Sequence, residues 1–491
     1  MKRDNNGENT VSDIIPLSGV EAFDLETDVL VAGLGGAGAS AALEARRAGA
    51  AVTVLESSSG GGGSTQMSAC EMYLGGGTRL QRDLGIADSP DNFYNYLKAC
   101  FGDNCDENRL RLFCDGAVEH FDWAESLGVP YKRGFYDGRD VVAMTGDSLQ
   151  YTGNERAWPF VEMAQAAPRG HLPADADHSG GLVFMGHLLE RVRESGVNIL
   201  CDARITALVQ DEQKRVVGAA ARIDNRQVLI RAHRGVVLCT GGFIMNEAMT
   251  RKHLPTLDGI ATRHGNPGDR GDGIRLGQAA GGNLINMGEA FVGIAHYPPA
   301  QLTYGIFVNE QGQRFINEDV YLARLGHYAI QQSQGRIFMF IDNRHFERPA
   351  YLNVDIVAVG ETVEEVESES GLPAGNLQHT VDYYNQNAAL GQDPLFHKAS
   401  DWLMPLDEPP YALVSYALDQ IKPPVFTLGG LEVKPTGEVL RPDGSAVEGL
   451  FAAGRTVAGI PRTSAGYASG MSVADVTFFG RLAGRQAAAQ S

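Results

Sequence analysis

At 491 residues the chain is long enough for two large domains or three smaller ones, and 43% hydrophobic residues suffice for packed cores. A net charge of −19 argues against nucleic acid or an anionic membrane surface as a partner, and no apolar run is long enough to cross a bilayer. The six cysteines (Cys70, Cys100, Cys105, Cys114, Cys201, Cys239) form no Cys-x-x-Cys pair, so neither a disulfide framework nor a metal site is expected. Cys201 and Cys239 sit in apolar runs and read as buried thiols. The polar opening segment, MKRDNNGENTVSD, has no hydrophobic signal core and reads as a loose leader on a cytosolic protein.

Residues 27–56 carry the strongest pattern, TDVLVAGLGGAGASAALEARRAGAAVTVLE. A short buried strand over 29–32 enters Gly33-x-Gly35-x-x-Gly38. An alanine-rich helix over 39–48 follows and ends at Gly49. A second strand over 52–55 stops at Glu56. This is a βαβ unit shaped for a dinucleotide: Gly33 permits the tight turn, Gly35 admits a pyrophosphate to the backbone, and Gly38 lets the helix pack close to the strand. The helix N-terminus offers free N–H groups and a positive dipole end, with Gly36 and Ala37 in the same turn. Glu56, 18 residues past Gly38, is placed to accept from ribose hydroxyls. The polar loop over 57–70, SSSGGGGSTQMSAC, is either a linker or a second cradle for the cofactor. Because it leaves the cofactor strand directly, the cradle is preferred, with Ser57, Gly63, Ser64 and Thr65 facing the ligand.

Further along, apolar residues recur at helical spacing between Asp106, an N-cap candidate, and Gly128, a stop. Residues 130–180 are rich in Gly, Pro and Asp and read as loops. A short amphipathic helix is expected over 186–196. Strands follow over 197–201, 205–210, 216–222 and 228–232, a small antiparallel layer, with Ile205 assigned to the cofactor. The run GVVLCTGGF over 235–243 brings a separate buried strand, 236–239, that ends in Thr240-Gly241-Gly242. A turn-rich loop with Asp272 then leads into a helix from Ile274. From about 285 to 410 the composition shifts to aromatics, prolines and mixed strands, as for an inserted cap. Its acidic stretch over 361–371 reads as a solvated surface helix. The last segment returns to the opening theme. A hairpin-like run covers 427–440, a strand ends in Gly454, and a loop over 464–470 leads into a long helix whose early turns carry Ser472, Val473 and Asp475. Residues 1–284 and 411–491 therefore form one discontinuous domain around a 285–410 insert.

Three blocks agree: the Gly33–Gly38 turn with Glu56, Thr240-Gly241-Gly242, and the run GLFAAG ending at Gly454. Together they resemble the flavoprotein superfamily of fumarate reductase and succinate dehydrogenase subunits, which also holds the 3-ketosteroid dehydrogenases. The resemblance spans nearly the whole chain. It implies an α/β fold: a Rossmann-like FAD-binding domain, with a parallel sheet plus a small antiparallel layer, and an inserted α+β cap carrying catalytic residues. It implies FAD between the two domains, held without a covalent bond because the 64–70 stretch has no attachment histidine. It also implies that the last helix, with Gly470, Ser472 and Val473 at its start, aims its N-terminus at the flavin's pyrimidine end. The cap run GQRFINE over 312–318 is similar to a shared family motif. Fumarate reductases place a proton-delivering arginine near the position of Leu322. Here Tyr321 precedes it, and Arg324 lies slightly further on. Their His-Gly-x-Asn-Arg loop is replaced by Gly466-Tyr467-Ala468-Ser469-Gly470, which has no cation.

Tyrosines in place of cations resemble the ketosteroid dehydrogenases, and the Tyr-x-Ser arrangement resembles the Δ4-(5α) type. Desaturation beside a ketone needs a donor to the carbonyl oxygen, a base for the adjacent C–H, and a hydride acceptor. Tyr467 is the expected donor, aided by the Gly470 N–H. Ser469 is the expected base, with Tyr321 as its relay, because a serine alkoxide alone is too costly at neutral pH. Packing of Tyr321 and N-capping by Ser469 are the competing structural roles. His296 reads as a loop histidine. The expected substrate is a small apolar ketone, a steroid, because the cap segment over 291–307 is aromatic and lacks clustered arginines. A Δ1-dehydrogenase, a fumarate-reductase-type ene-reductase and a non-catalytic FAD-binding redox sensor are the alternatives. No Gly-x-Ser-x-Gly hydrolase elbow or Cys-x-x-Cys-His haem motif is present, and the electron acceptor stays open.

Overall fold

The structure, a computed structural model, describes residues 12–142, 145–174 and 177–490. Most of the polar leader therefore lies outside the described residues. The chain opens with strand β1 (Leu25–Ala32), helix α1 (Gly36–Arg47) and strand β2 (Val52–Leu55). Helix α2 (Glu107–Ser126) starts at Asp106, whose side chain accepts from the Arg109 N–H. Then come β3 (Asn198–Leu200), β4 (Ala203–Gln210), β5 (Val216–Ile223) and β6 (Arg226–Leu238). The cap contributes β7 (Ile306–Asn309), α3 (Leu322–Ala329), β8 (Ile337–Ile341), β9 (Asp355–Gly360) and β10 (Tyr411–Ser415). The chain returns through β11 (Ala446–Ala452) and closes with α4 (Met471–Ala488).

The frame is a parallel sheet ordered β3-β2-β1-β6-β11. Both faces of β1 are covered: Val29 and Val31 join the core under the helices, while Leu30 and Ala32 join the core on the other side. That two-sided burial is why the strand reads as an unbroken apolar run rather than an alternating one. On one face α1 lies against α4 at very short range. A Cβ on Gly480 would meet the Ala37 carbonyl oxygen at 2.5 Å, and one on Gly484 would meet that of Ala41 at 2.1 Å. The alanine-rich run of α1 and the Gly-x-x-x-Gly of α4 are thus two halves of one helix contact, because side-chain size sets interaxial distance.

Several expectations need correction. The strands read at 228–232 and 236–239 are one strand, β6. Its register shifts between Ala232 and Gly235, where a bulge absorbs the charged pair His233-Arg234. The first half of β6 pairs antiparallel with β5, and its second half lies between β1 and β11. The helix expected from 186 begins at Gly180, and the one expected from Ile274 begins at Asp272. The 130–180 region is not all loop: Phe135–Tyr136, Leu149–Gln150 and Gly170–His171 form a small sheet with Met72–Tyr73. The hairpin-like run over 427–440 is divided: Gly430–Leu431 pairs with Leu284–Ile285, and Glu438–Leu440 with β11. Cys201 is only partly buried, whereas Cys239 is buried. The acidic cap helix, Val363–Ser370, buries Val363, Val366 and Glu367, and the Glu367 carboxylate accepts from the Gly375 and Leu377 N–H groups.

The cap sheet runs β7-β8-β10-β9, all antiparallel. β10 therefore lies on the cap side of the boundary expected at 410. The GQRFINE run builds an ion network in the cap core. Arg314 pairs with Glu318 at 2.9 Å and Asp393 at 3.0 Å, and Lys398 reaches Glu318 at 3.3 Å, with all four side chains buried. Arg139 clamps the next segment by donating to the carbonyls of Asp319 (2.8 Å) and Val320 (2.6 Å). The Tyr321 N–H donates to the Asn154 side chain at 2.8 Å. The motif's physical role is to hold the peptide that presents Tyr321.

Candidate active site

The carboxyl ends of β1, β2 and β6 frame a cleft of mixed polar and apolar lining. Gly33 leaves β1 at φ +102°, and a Cβ there would sit 2.3 Å from the carbonyl oxygen of Cys239, the residue just after β6. Gly38 is just as confined, since its Cβ would meet the Gly33 oxygen at 1.9 Å. Gly38 therefore packs helix on strand and does not itself line the cleft. Gly33, Gly35, Gly36, Ala37, Glu56 and Ser57 do line it. Gly63, Ser64, Thr65, Ile205, Thr240, Gly241, Asp272 and Gly454 complete the expected set there. Sequence reading missed Cys239, Asn266, Asp269, Arg204 and Arg455, which line the same cleft. Gly35 caps α1 with no side chain, so the helix N-terminus faces the cleft as backbone, its Gly36 N–H donating to Thr65 Oγ1 at 3.3 Å. The Glu56 carboxylate is fixed by the Leu34 and Ser58 N–H groups, each at 2.8 Å. Ser64 differs from expectation: its hydroxyl donates to Asp269 at 2.7 Å and accepts from the Asn266 N–H at 2.9 Å, so it is tied to protein rather than aimed at a ligand.

The cleft continues into a cavity of about 440 Å³, with Ser64, Thr65, Arg455 and Val476 lining both. Tyr321 from the cap, Tyr467 and Ser469 from the closing loop, and Gly470, Ser472 and Val473 from the start of α4 all face this cavity. The walls are largely apolar. Phe291 stacks on Phe426 at 4.5 Å, and the Tyr467 ring packs edge-on against Phe291 at 4.9 Å. Leu322 lines the cavity, whereas Arg324 turns away, its guanidinium over the rings of Phe160 and Tyr328. His296 is fully buried, and burial together with the nearby Arg139 charge pushes its pKa down to about 3. It sits against the Ile294 and Glu318 carbonyls and does not line the cavity.

Within the cavity three hydroxyls lie near one carboxylate. The Tyr467 hydroxyl bonds to Ser472 Oγ at 2.9 Å, and burial raises its pKa to about 12, so it is a neutral donor at physiological pH. Burial also drives the Tyr321 phenol well above its usual pKa, with Ser469 beside it acting in the opposite direction. Ser469 is anchored at both backbone ends on Thr152: its N–H donates to the Thr152 carbonyl at 2.8 Å, and Thr152 Oγ1 donates to its carbonyl at 3.0 Å. The residue after it, Gly470, is the N-cap of α4, so Ser469 is not the cap. Glu71, which no sequence motif marks, completes the group. Its carboxylate accepts from the Ser469 hydroxyl and, at 2.7 Å, from the Gln150 amide. Glu71 is buried, and burial lifts its pKa to about 7 against the lowering effect of Ser469 and Gln150.

The family model for an FAD binding domain matches residues 28–470. The chain belongs to this family. It is an FAD-dependent oxidoreductase, and the cleft suits that cofactor: helix amides for a pyrophosphate, Glu56 at the end of β2, and a passage into the cavity that Gly470 and Val473 line. Among solved structures, this flavoprotein is 41% identical to the 3-ketosteroid-Δ4-(5α)-dehydrogenase of Rhodococcus jostii RHA1, in complex with 4-androstene-3,17-dione. The match covers 96% of this chain and 99% of that one, with a TM-score of 0.91. It is 26% identical to the 3-oxo-5-alpha-steroid 4-dehydrogenase of Comamonas testosteroni, over 87% of this chain and 92% of that protein. It is also 28% identical to the NADH:fumarate oxidoreductase of Klebsiella pneumoniae, over 96% of this chain but only 48% of that protein, so the flavoprotein spans about half the length of that relative. Among the described residues, no helix is long and apolar enough to cross a membrane.

Proposed function

We propose that this flavoprotein is a 3-ketosteroid dehydrogenase that introduces a double bond beside the ketone, between C4 and C5 of a 3-keto-5α-steroid. The observation that carries the reading is the apolar, aromatic-walled cavity into which Tyr467, Ser469 and Tyr321 converge from two separate segments. A flat polycyclic ketone matches such walls, and the likeness to the protein of Rhodococcus jostii RHA1 in complex with 4-androstene-3,17-dione supports the reading.

In this reading Tyr467 donates to the ketone oxygen. Its present partner Ser472 can rotate its own hydroxyl hydrogen toward Tyr467, so the phenol gains a donor as it gives its own hydrogen to substrate. That arrangement stabilises enolate charge as it develops. Ser469 takes the proton from C4, with Tyr321 beside it as a neutral donor that steadies the serine oxygen. FAD, when bound, supplies the hydride acceptor for the neighbouring carbon. Thr65 and the start of α4 would hold its ring, and the β1–α1 turn its diphosphate.

The likeness to fumarate oxidoreductases favours a second reading, reduction of an activated alkene. A dicarboxylate needs fixed cations, yet among the described residues Arg455 is the only arginine or lysine lining the cavity, and it is paired to Asp269 at 2.5 Å. Anaerobic mixing of the holoenzyme with saturated 5α- and 5β-3-ketosteroids, followed by oxidised-flavin absorbance, separates the possibilities. Bleaching by the 5α ketone is expected. No bleaching with any ketosteroid, or turnover of fumarate, overturns the proposal; an unresponsive flavin with every substrate would instead fit a redox-sensing role.

A further inference from the structure

Glu71 occupies a place for which the expected chemistry left no residue. Serine is a weak base because its alkoxide is expensive at neutral pH, and Tyr321 cannot accept the surplus proton, since burial strengthens the hold of the phenol on its own. Directly beyond Ser469 lies a buried carboxylate that already accepts the serine's hydrogen. Its position is built, not incidental. The strand Met72–Tyr73 follows Glu71, and the Tyr73 N–H donates to the Gly470 carbonyl at 3.1 Å, which locks the Glu71 segment alongside the Ser469 loop. Leu149–Gln150, in the same small sheet, brings in the amide that holds the other carboxylate oxygen.

We propose that Glu71 is the terminal proton acceptor of the desaturation, acting through Ser469; this inference rests on the ketosteroid dehydrogenase reading. The C4–H bond of the substrate breaks and its proton forms a new O–H bond on Ser469 Oγ. The proton Ser469 already carried passes to the Glu71 carboxylate, which becomes a neutral acid. The electron pair stays on the substrate as the enolate held by Tyr467, and collapses into the new double bond as hydride leaves C5 for the bound FAD, the oxidant of the proposed reaction. A free serine alkoxide never forms. Several titratable groups face the carboxylate. They are Cys70 on its own segment, Tyr297 and Tyr321 from the cap, Tyr467 from the closing loop, and Asp140 from the loop ahead of Leu149–Gln150. His178, exposed at the cavity's edge, lines the same space. Burial dominates, and it puts the carboxyl near neutrality, where a general base exchanges protons most effectively.

The test measures flavin reduction by a 5α-3-ketosteroid in stopped flow from pH 5.5 to 9, on wild-type, Glu71→Gln and Gln150→Met holoenzymes. The wild-type rate should rise with pH through a step near 7. Glu71→Gln keeps a side chain of the same shape but cannot take a proton. It should bind FAD and lose about 10²-fold or more in rate, with the step gone. Gln150→Met removes a donor to the carboxylate and should move the step upward by about one pH unit. An infrared difference titration of wild type against Glu71→Gln should show one carboxylic C=O band titrating near pH 7, independent of turnover. The relay is overturned if Glu71→Gln stays within about threefold of wild type with its step intact, if Gln150→Met leaves the step unmoved, or if no such band titrates. A wild-type enzyme whose flavin responds to no ketosteroid overturns the dehydrogenase reading, and the relay with it.

Discussion

Glu71 makes a prediction that needs no substrate. A buried carboxyl whose folded pKa stands near 7, above the ordinary 4.5, carries a proton in the folded chain that the unfolded chain has already released. Below about pH 4.5 both states are protonated and the residue adds no pH dependence. As pH rises from 4.5 to 7 stability falls, and above 7 the loss is complete at about 3 kcal/mol. Wild type should therefore lose about 2.5 kcal/mol between pH 5 and pH 8 from this one group, while Glu71→Gln, which cannot ionise, should not. The assay is urea unfolding of both holoproteins at the two pH values, followed by tryptophan fluorescence and flavin release, with the difference between the two proteins taken at each pH so that all other titrations cancel. The variant should gain on wild type as pH rises. Unfolding curves that shift in parallel would show that Glu71 ionises normally, and would refute both its burial without charge compensation and its value as a proton store.

Two further outcomes are expected. Tyr467→Phe removes the proposed donor to the ketone while leaving the aromatic wall intact. It should retain FAD and its visible spectrum but lose about 10²–10³-fold in the rate of flavin reduction. Gly38→Ala forces a methyl group into the Gly33 oxygen, 1.9 Å from where its Cβ would stand, and so opens the β1–α1 turn. Overpacking of this kind costs about 1–3 kcal/mol, so the protein should fold yet elute from gel filtration largely without flavin.

The dinucleotide unit was legible because it is local: strand, turn and helix fall within 27–56, and Gly33 and Gly38 answer to close contacts with each other's turn and with Cys239 just after β6. The cap's separateness was legible as a change of composition, though β10 carries its sheet past 410. The strand β6 was split in reading because His233-Arg234 looks like a break, and nothing local says that a bulge will carry it. The active-site scaffold was the least legible part. Its strands are two residues long, too short for any periodicity, in a Gly- and Pro-rich region that composition assigns to loop. Glu71 was invisible for the same reason. It follows a polar glycine-rich loop with no motif, and its partner Ser469 lies 398 residues away. A resemblance carried by Tyr467 and Ser469 marks the groups proposed to meet substrate; it does not mark the residue behind them.

The division of labour within the chain bears on how far likeness can carry a function. The most recognisable blocks, the β1–α1 turn and the GQRFINE run, are scaffolds. One shapes the cofactor cleft, and the other fixes the peptide ahead of Tyr321 through Arg314, Glu318, Asp393 and Lys398. Neither block faces the substrate side of the cavity. The same scaffold can serve an alkene with two carboxylates or a fused-ring ketone, which accounts for relatives named for both. What separates those chemistries is the charge of a few side chains from three distant segments. A dicarboxylate requires cations aimed inward to offset two desolvated negative charges. In this cavity the positions around the three hydroxyls hold Leu322, Tyr321, Tyr467 and Ser469 with the carboxylate Glu71, which would repel such a substrate, while the histidines His178 and His264 stand elsewhere on the lining. Arg324 spends its charge on aromatic rings outside, and Arg455 is held by Asp269. An uncharged ketone meets none of that repulsion and gains the apolar walls. The placement of charge, more than the shared motifs, therefore points to desaturation of a neutral substrate.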